Sequence, residues 1–548
     1  MNKEKMKQSL LIGALTSSFG IFISKLLGLF YYSPLSSMAG EANMAFYSIA
    51  YTYYDLLLQV SQAGIPFAIA TLVARYMMKE DYKSVMLIKK MGTSIIMGLS
   101  FVVAAIFIFV SEPLARQSLG VSAPLEDIEN LKLLFMILAV AVILVPLLSS
   151  LRGYVQGLKR MDIYASSQVL EQFARVFTIL FVGYLAVVIL KMKSIYAIFI
   201  AIAAASVGAI VAYVYTIHFS KDDEKHVIEL APKQEGDPEL TVKQVIIEII
   251  TLGIPYVIIS FLGTAGPLVN TTYFMDYMTR VNGPEVYESA KLAAGILQAN
   301  IAKISSIPSV LALGFGSGMV PYLAETLEAQ DYDKLSKQIS QILDTSFYIL
   351  IPMIFIFLFF ARDIYFIMYG NSNLDLGTSL FTVSNIQILL GTVAPIFSSI
   401  MMSLKLRKEA IFTLIVSFIL KFLSFFPMVR FFGAYGMIYS SGVYYAFQIG
   451  MYFWILKSRF DIKIGRTIKR TIRITICSLI MVLPALLLHY LIGCSYTSRV
   501  ADILLMIPLG VVMVIVYYLT TSYLKLPQLI FNISDVSISG LINRFVKK

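Results

Sequence analysis

Four basic side chains stand inside stretches of the sequence that are otherwise apolar enough to cross a membrane: Lys25, Arg175, Lys303 and Lys421. A charge at the centre of a bilayer costs about 2.5 to 3.5 kcal/mol, so such a residue normally faces protein, water or a bound partner. At 1.5 Å per helical residue, Lys303 and Lys421 lie about 16 Å into their stretches, too deep for easy contact with headgroups. The four residues are therefore candidates for binding and not for covalent chemistry.

Lys25 lies in FGIFISKLLGLFYY, and the sequence leaves three interpretations of it open. Its long side chain could reach the outer headgroups. It could instead pair with Asp55, which lies at a comparable depth in the next, antiparallel stretch. It could also face a water-filled cavity inside the protein.

A second candidate for charge pairing lies further along the chain. Glu171 precedes Arg175 by four residues, which is the favourable order for an ion pair on one helix. The sequence does not decide between a structural pair and a pair that lines or gates a cavity.

Small residues and prolines are concentrated in SSIPSVLALGFGSGMVP, which contains Pro308, Gly314, Gly316 and Gly318. Its GFGSG is not a nucleotide-binding loop, because no strand precedes it and no Lys-Ser or Lys-Thr follows it. Residues of this kind either permit close packing of helices or produce a helix that bends during alternating access.

The elements that must position these residues are membrane helices. The chain of 548 residues is 58% hydrophobic and only 14% charged, and its mean hydropathy of +0.79 is far outside the soluble range. Fourteen apolar stretches reach the roughly 20 residues that a membrane helix needs. With the N-terminus in the cytoplasm, most of the 44 Lys and Arg residues fall on cytoplasmic segments, as the positive-inside rule requires. These patterns predict an all-α polytopic membrane protein with fourteen transmembrane helices and both termini in the cytoplasm.

The two halves of the chain resemble each other. An offset of 250 positions places Asp81 on Asp331, Tyr82 on Tyr332 and Gly120 on Gly370. Six helices in each half enter the membrane from the same side, so the repeat is parallel. We expect an N-lobe of helices 1–6 at residues 1–219, a cytoplasmic linker at 220–243 and a C-lobe of helices 7–12 at 244–457. Helices 13 and 14 would follow at 458–548, with a tail that either lies on the membrane or is frayed.

Several functional classes find no support in the residues. The three histidines and two cysteines are not grouped at the spacing of a metal site, and paired acids or a Ser-His-Asp set at catalytic spacing are absent. The net charge of +11 follows from topology and attraction to the membrane surface, so it does not indicate nucleic acid. We therefore predict that the protein is not an enzyme and holds no cofactor and no metal.

Three motifs resemble those of a known family. They are SKLLGLF at residues 24–30, RGYVQGLKRM at 152–161 followed by QVLEQFARV at 168–176, and KISSIPSVLALGFGSGMVPYLAE at 303–325. With fourteen helices arranged as six, six and two, the chain resembles the polysaccharide and lipid-linked oligosaccharide exporters of the multidrug/oligosaccharidyl-lipid/polysaccharide superfamily. Within that superfamily it is most similar to the MurJ-type lipid II flippases of the Gram-positive branch.

This resemblance implies a bundle with a central cationic cavity that opens to the two sides of the membrane in turn. Lys25 and Lys303 match basic positions of the family motifs and would hold the diphosphate of a lipid-linked sugar as point charges. The family often carries further Arg where this chain has Tyr31, Tyr32, Leu58 and Gln59, and Arg175 and Lys421 are candidates to compensate. Membrane lipids and cell-wall synthesis proteins are the implied partners, in a bacterial cell membrane.

The implied function is movement of an undecaprenyl-diphosphate-linked peptidoglycan precursor from the inner to the outer leaflet. Because an ATP-binding motif is missing, the energy would come from ion gradients or the membrane potential. One alternative is export of another lipid-linked polysaccharide, for teichoic acid, capsule or spore cortex. A cation-coupled drug exporter would need buried carboxylates as its main charges, and a scaffold for envelope synthesis would leave Lys303 and Lys421 dispensable.

Overall fold

The computed structural model describes residue 28 and residues 31–62, 64–234, 236–317, 320–463, 465–492, 496 and 498–531. Every regular element in these residues is helical. The α-helices are α1 (Tyr32–Ala39), α2 (Met44–Gln62), α3 (Ile65–Met78), α4 (Tyr82–Phe109), α5 (Ser111–Leu119), α6 (Leu125–Gly157), α7 (Met161–Phe177), α8 (Ile195–Leu230), α9 (Val242–Asn282), α10 (Tyr287–Gly295), α11 (Ala302–Ser317), α12 (Val320–Glu328), α13 (Tyr332–Phe359), α14 (Ala361–Tyr369), α15 (Leu374–Ser403), α16 (Arg407–Phe432), α17 (Tyr435–Phe460), α18 (Gly465–Ile492), α19 (Arg499–Tyr523) and α20 (Leu526–Phe531).

Nine spans in the described part of the chain are helical, long and apolar enough to cross a membrane. They are residues 82–109, 125–157, 161–189, 195–233, 332–359, 374–403, 407–432, 465–492 and 499–523. The span at 161–189 continues α7 through two π-helical segments, Thr178–Val182 and Leu185–Ile189. The prediction of an all-helical, multi-pass membrane protein is confirmed by these spans, whereas the count of fourteen stays a prediction.

The chain forms two compact units, residues 1–300 and 301–548. In the first unit, α3, α4, α6 and α9 enclose a core that includes Ile69, Leu72, Ile88 and Ile249. In the second unit, α13, α15 and α17 enclose a core that includes Leu335, Ile339, Ile396, Phe397 and Tyr452. A further cluster joins α18 to α19 through Met481, Val482, Leu509 and Met513.

The second predicted helix, residues 45–74, is interrupted in the structure. It forms α2 and α3, with Gly64 at the junction and Pro66 in the first turn of α3. Proline fits a first helical turn because its missing N–H would have no partner there. Gly64 also packs against α9, where a Cβ on it would lie 2.2 Å from the carbonyl oxygen of Gly253. Glycine at this position therefore allows two helix backbones to touch.

The internal repeat is visible in the element boundaries. The 28-residue helices α4 and α13 start 250 residues apart, and each start is capped by an aspartate, Asp81 or Asp331, that accepts a hydrogen bond from a backbone N–H three residues later. The short helices α5 and α14 follow at the same offset and end at Gly120 and Gly370, which have φ values of 88° and 83°. The same local signals therefore set the same helix ends in both halves.

The predicted 220–243 linker is partly helical, because α8 continues to Leu230. Residues 231–241, which we call the connecting segment, return to the start of α4. Asp81 accepts hydrogen bonds from Gln234 Nε2 at 2.8 Å and from the backbone N–H of Glu239 at 2.9 Å. Burial alone would raise the pKa of Asp81, but hydrogen bonds from Ser84, Gln234 and Glu239 outweigh it and hold the pKa below its ordinary value. The division into lobes at this linker stays a prediction.

Candidate functional site

A buried charge cluster lies where α6 and α7 meet in the first unit. Glu171 accepts from Arg175 Nη2 at 3.0 Å and from Arg152 Nη1 at 2.8 Å, so one carboxylate bridges two guanidinium groups. All three residues are only 8% exposed. Arg152 also donates through Nε to the hydroxyl of Ser167 at 2.8 Å. The Glu171–Arg175 pair predicted from their spacing is therefore present, as part of a triad.

Tyrosines surround the Arg175 end of this triad. Arg175 Nη1 donates to the hydroxyl of Tyr51 at 3.4 Å, a long hydrogen bond. The ring of Tyr51 stacks on that of Tyr47 at 5.3 Å between centroids, and the Tyr47 hydroxyl shares a 2.9 Å hydrogen bond with that of Tyr31. Phenolic rings supply an apolar wall with polar tips. The arrangement is a polar site inside an otherwise apolar bundle.

The triad carries more cationic than anionic charge. Two arginines face one glutamate, which leaves one net positive charge, and arginine is permanently protonated in proteins. Arg152 Nη2 and Arg175 Nε are buried without a hydrogen-bond partner among the described residues. Unsatisfied donors on a buried cation are unusual and suit an incoming acceptor such as a phosphate or sugar oxygen.

Asp55 follows Tyr54 on α2 and is partly buried. Its own contacts include at least one that involves charge or hydrogen bonding. Lys25 lies outside the described residues, so the choice among its three interpretations stays open.

Lys303 stands at the second position of α11, directly after the π-helical segment Ile296–Ile301, and is partly buried. Serine hydroxyls flank it, since Ser305 donates to the carbonyl of Ile301 at 2.7 Å and Ser306 to that of Lys303 at 2.6 Å. π-Helical turns widen a helix locally and are frequent at functional sites. Lys303 thus occupies an irregular, polar section of its helix.

The proline and glycines after Lys303 lie on the same helix. Pro308 is buried inside α11, which includes Gly314 and Gly316 and ends at Ser317. Gly318 lies outside the described residues, and helix resumes as α12 at Val320. The choice between close packing and bending stays open.

Lys421 is fully buried between α16 and α17. Its ammonium donates to the hydroxyls of Ser440 at 2.7 Å and Ser441 at 2.9 Å, and more weakly to the carbonyl of Met437 at 3.4 Å. Lysine has three donors, and these acceptors can occupy all of them. A structural role in joining the two helices accounts for this geometry, and the substrate contact stays a prediction.

Sequence reasoning missed three cations in buried ion pairs. Arg152 begins the motif at residues 152–161 and pairs with Glu171. Lys291 Nζ lies 2.5 Å from Asp127 Oδ2, with both side chains largely buried, and Arg470 pairs at 2.5 Å with Asp344, whose side chain is fully buried. The residues of each of these last two pairs are more than 120 positions apart, so no local spacing could have revealed them. In the described residues, no three His, Cys, Asp or Glu side chains come together to hold a metal.

Comparison with known families gives two overlapping matches. The polysaccharide biosynthesis protein family matches residues 10–327. The lipid II flippase MurJ family matches residues 304–533. The two matches together span nearly the whole chain.

Individual relatives agree with these families. The chain is 26% identical over 495 residues to the lipid II flippase MurJ of Bacillus subtilis (strain 168), covering 89% of this chain and 90% of that protein. It is 23% identical over 375 residues to stage V sporulation protein B of the same organism, covering 67% of this chain and 68% of that protein.

Solved structures show the same fold. Lipid II flippase MurJ in an inward closed conformation has a TM-score of 0.65 at 14% identity, covering 93% of this chain and 98% of that chain. An inward-facing multidrug resistance MATE family transporter of the MOP superfamily has a TM-score of 0.64 at 11% identity, covering 80% of this chain and 94% of that chain. At these identities the likeness establishes the fold alone.

Proposed function

We propose that this chain, which belongs to the polysaccharide biosynthesis protein family and whose residues 304–533 match the lipid II flippase MurJ family, moves lipid II from the inner to the outer leaflet of a bacterial cell membrane. The observation that carries this proposal is the match to a lipid II flippase over 495 residues, which includes both halves of the repeat. The protein acts as a transporter and not as an enzyme, and no covalent step is needed.

The proposed topology has fourteen transmembrane helices, arranged as lobes of six and six plus two, with both termini in the cytoplasm. The nine described spans support it, as do the equivalent boundaries of α4 and α13. The interruption at Gly64 explains why one further predicted span is not a single helix, since residues 45–74 are divided between α2 and α3.

We propose that Lys25 and Lys303 bind the diphosphate of the substrate. An ammonium group is a compact point charge, which can follow a moving phosphate without a fixed bidentate geometry. The position of Lys303 close to the π-helical segment Ile296–Ile301 supports such a role, because the backbone there is irregular and the Ser306 hydroxyl donates to the carbonyl of Lys303. Cell-wall synthesis proteins and membrane lipids would be the partners of the transporter.

The Arg152–Glu171–Arg175 triad is proposed as a second cationic element of the pathway. Its net positive charge and its two guanidinium nitrogens that lack a hydrogen-bond partner in the described part of the chain favour an anionic or hydroxyl-rich ligand. When substrate is absent, the negative charge of Glu171 would offset part of the positive charge of the two arginines, so that both can stay buried. Lys421 would matter to transport only if it exchanged its serine acceptors for the substrate.

The sign of the membrane potential favours the proposed direction. A diphosphate that moves outward from a negative interior gains about 2.3 kcal/mol per charge per 100 mV. Transport by alternating access then needs no nucleotide hydrolysis at this protein.

A second candidate function is export of a different lipid-linked polysaccharide. It is favoured by the match of residues 10–327 to the polysaccharide biosynthesis family as a whole. Drug export has only the fold in its favour, and the buried triad holds two arginines against one carboxylate, whereas a drug exporter would need carboxylates as its main charges.

The test is complementation of a cell depleted of its own lipid II flippase, with outer-leaflet lipid II and protein level measured. Wild type should restore growth, whereas Lys25→Ala and Lys303→Ala should reduce flipping at least tenfold. Lys408→Ala, which removes an exposed lysine at the start of α16, should behave as wild type. Failure of well-expressed wild type would favour the second candidate, and activity of both lysine variants would remove the proposed phosphate contacts.

A further inference from the structure

A cationic pocket of about 590 Å³ lies in the second unit, between the first turns of α13, the start of α18 and α20. We define the cationic pocket by its five basic residues, which are Lys337, Lys463, Arg466, Lys469 and Arg470. One carboxylate, that of Asp333, also lines it. This excess of positive charge is not used by the proposed transport mechanism.

Three of the five cations have no ion-pair partner among the described residues. Arg470 is paired with the buried Asp344, and Lys463 lies 3.9 Å from Asp461. Lys337, Arg466 and Lys469 form no ion pair with any described residue, and all three are exposed. All three line the same pocket, and the N-terminus of α18, which is the positive end of the helix dipole, also lies there. The pocket therefore favours an anion.

The sequence of α18 places the pocket at the boundary between headgroups and hydrocarbon. Lys and Arg occur only in its first nine positions, and from Ile474 to Ile492 the helix has no Lys, Arg, Asp or Glu. Ile468, Ile472 and Ile476 are each about half exposed and follow one another at helical spacing, starting between Arg466 and Lys469. An apolar stripe thus leads directly away from the cations.

We propose that the cationic pocket binds the phosphate-bearing headgroup of an anionic glycerophospholipid, whose acyl chains lie along the isoleucine stripe of α18. A soluble phosphate would use the same cations but not the apolar stripe, and the pocket wall itself includes the half-exposed Leu529. The ligand is a resident lipid of the bilayer and is distinct from the transported substrate, so the proposal does not depend on the proposed function.

Tryptophan quenching by brominated lipids would test this in the full-length protein reconstituted into vesicles. The chain has one tryptophan, Trp454, so Trp454→Phe combined with Leu529→Trp places the sole reporter in the pocket wall. Quenching by brominated phosphatidylglycerol is compared with quenching by brominated phosphatidylcholine. If tryptophan at position 529 disturbs the pocket, Ile468→Trp on the isoleucine stripe serves as a second reporter for the same measurement.

The decisive comparison is between two double variants, each of which removes two positive charges, the first variant from the pocket and the second from a site outside it. Arg466→Gln with Lys469→Gln changes exposed pocket residues, whereas Arg407→Gln with Lys408→Gln removes the same charge from the exposed start of α16. Each basic residue near an anionic lipid strengthens binding about fivefold, so the pocket variant should lower the preference for phosphatidylglycerol by about 25-fold. The control variant should keep it.

Two results would overturn the proposal. The first is an equal preference for phosphatidylglycerol in the pocket variant and the control, at both reporters. The second is loss of quenching when millimolar glycerol 3-phosphate is added, because the pocket would then prefer a soluble anion to a lipid.

Discussion

Replacing Glu171 with Gln is the sharpest probe of the buried triad. Gln has nearly the same shape but no charge, so the substitution leaves Arg152 and Arg175 buried together without their shared carboxylate. That carboxylate contacts the two guanidinium groups at 2.8 and 3.0 Å, and its side chain is 10% exposed. Breaking a buried ion pair in this way costs about 3 to 5 kcal/mol, which lowers the ratio of folded to unfolded protein by roughly two to four orders of magnitude.

The chain contains a matched control for this change. Glu112 also lies between two cations, Arg116 four residues later at 2.9 Å and Lys132 at 2.7 Å, but its side chain is 41% exposed. Solvent screens such a pair, so Glu112→Gln should leave stability close to that of wild type. The two variants remove the same charge from the same kind of bridge and differ mainly in burial.

The assay is the fraction of purified, detergent-solubilised protein that stays monodisperse after heating. Glu171→Gln should shift the transition strongly to lower temperature, and addition of Arg152→Gln should recover part of the shift because the net charge of the triad returns to +1. If the transition temperature of Glu171→Gln fell by no more than that of Glu112→Gln, the triad would be hydrated and not buried, and the reasoning would be refuted.

Two further predictions concern the first unit. Gly64→Ala should destabilise the protein by about 1 to 3 kcal/mol in the same heating assay, because the added Cβ would meet the backbone of α9. Gly98→Ala is the control: no described atom lies within 4 Å of a Cβ at this position, so this change should be neutral or slightly stabilising. Asp81→Ala should speed tryptic cleavage at Lys233 by releasing the connecting segment, whereas Asp331→Ala, which only removes a helix cap, should not. Unchanged tryptic cleavage in Asp81→Ala would contradict the docking. Because the pKa of Asp81 is lowered, the connecting segment of wild type should stay docked above about pH 4, near the unfolded pKa, and be released as the pH falls through the folded pKa, which an acid-active protease would detect.

Local signals in the sequence were sufficient for much of the fold. Apolar length predicted the spans, and the 250-residue offset predicted that Asp81 and Asp331 have equivalent positions, which the structure shows to be helix caps. The Glu171–Arg175 pair also followed from its spacing, since four residues make one helical turn.

Contacts between distant residues were beyond this reasoning. The hydropathy pattern of residues 45–74 is continuous, and it does not reveal that Gly64 packs against Gly253, 189 positions later in the sequence. Arg152 reaches Glu171 across the turn from α6 to α7, and Lys291 reaches Asp127 from another helix. Such partners depend on how helices pack, which composition and periodicity do not determine.

The two roles of Asp81 also separate in time. Its cap contact is with Ser84, three residues later, so the start of α4 can be fixed as soon as that turn has been synthesised. Its contacts with Gln234 and Glu239 must wait for about 150 more residues, which takes roughly 10 to 30 s at ordinary rates of translation. During that interval the carboxylate can form hydrogen bonds with water instead. The connecting segment can dock on Asp81 only after the first six predicted helices and the turn that follows them have been synthesised.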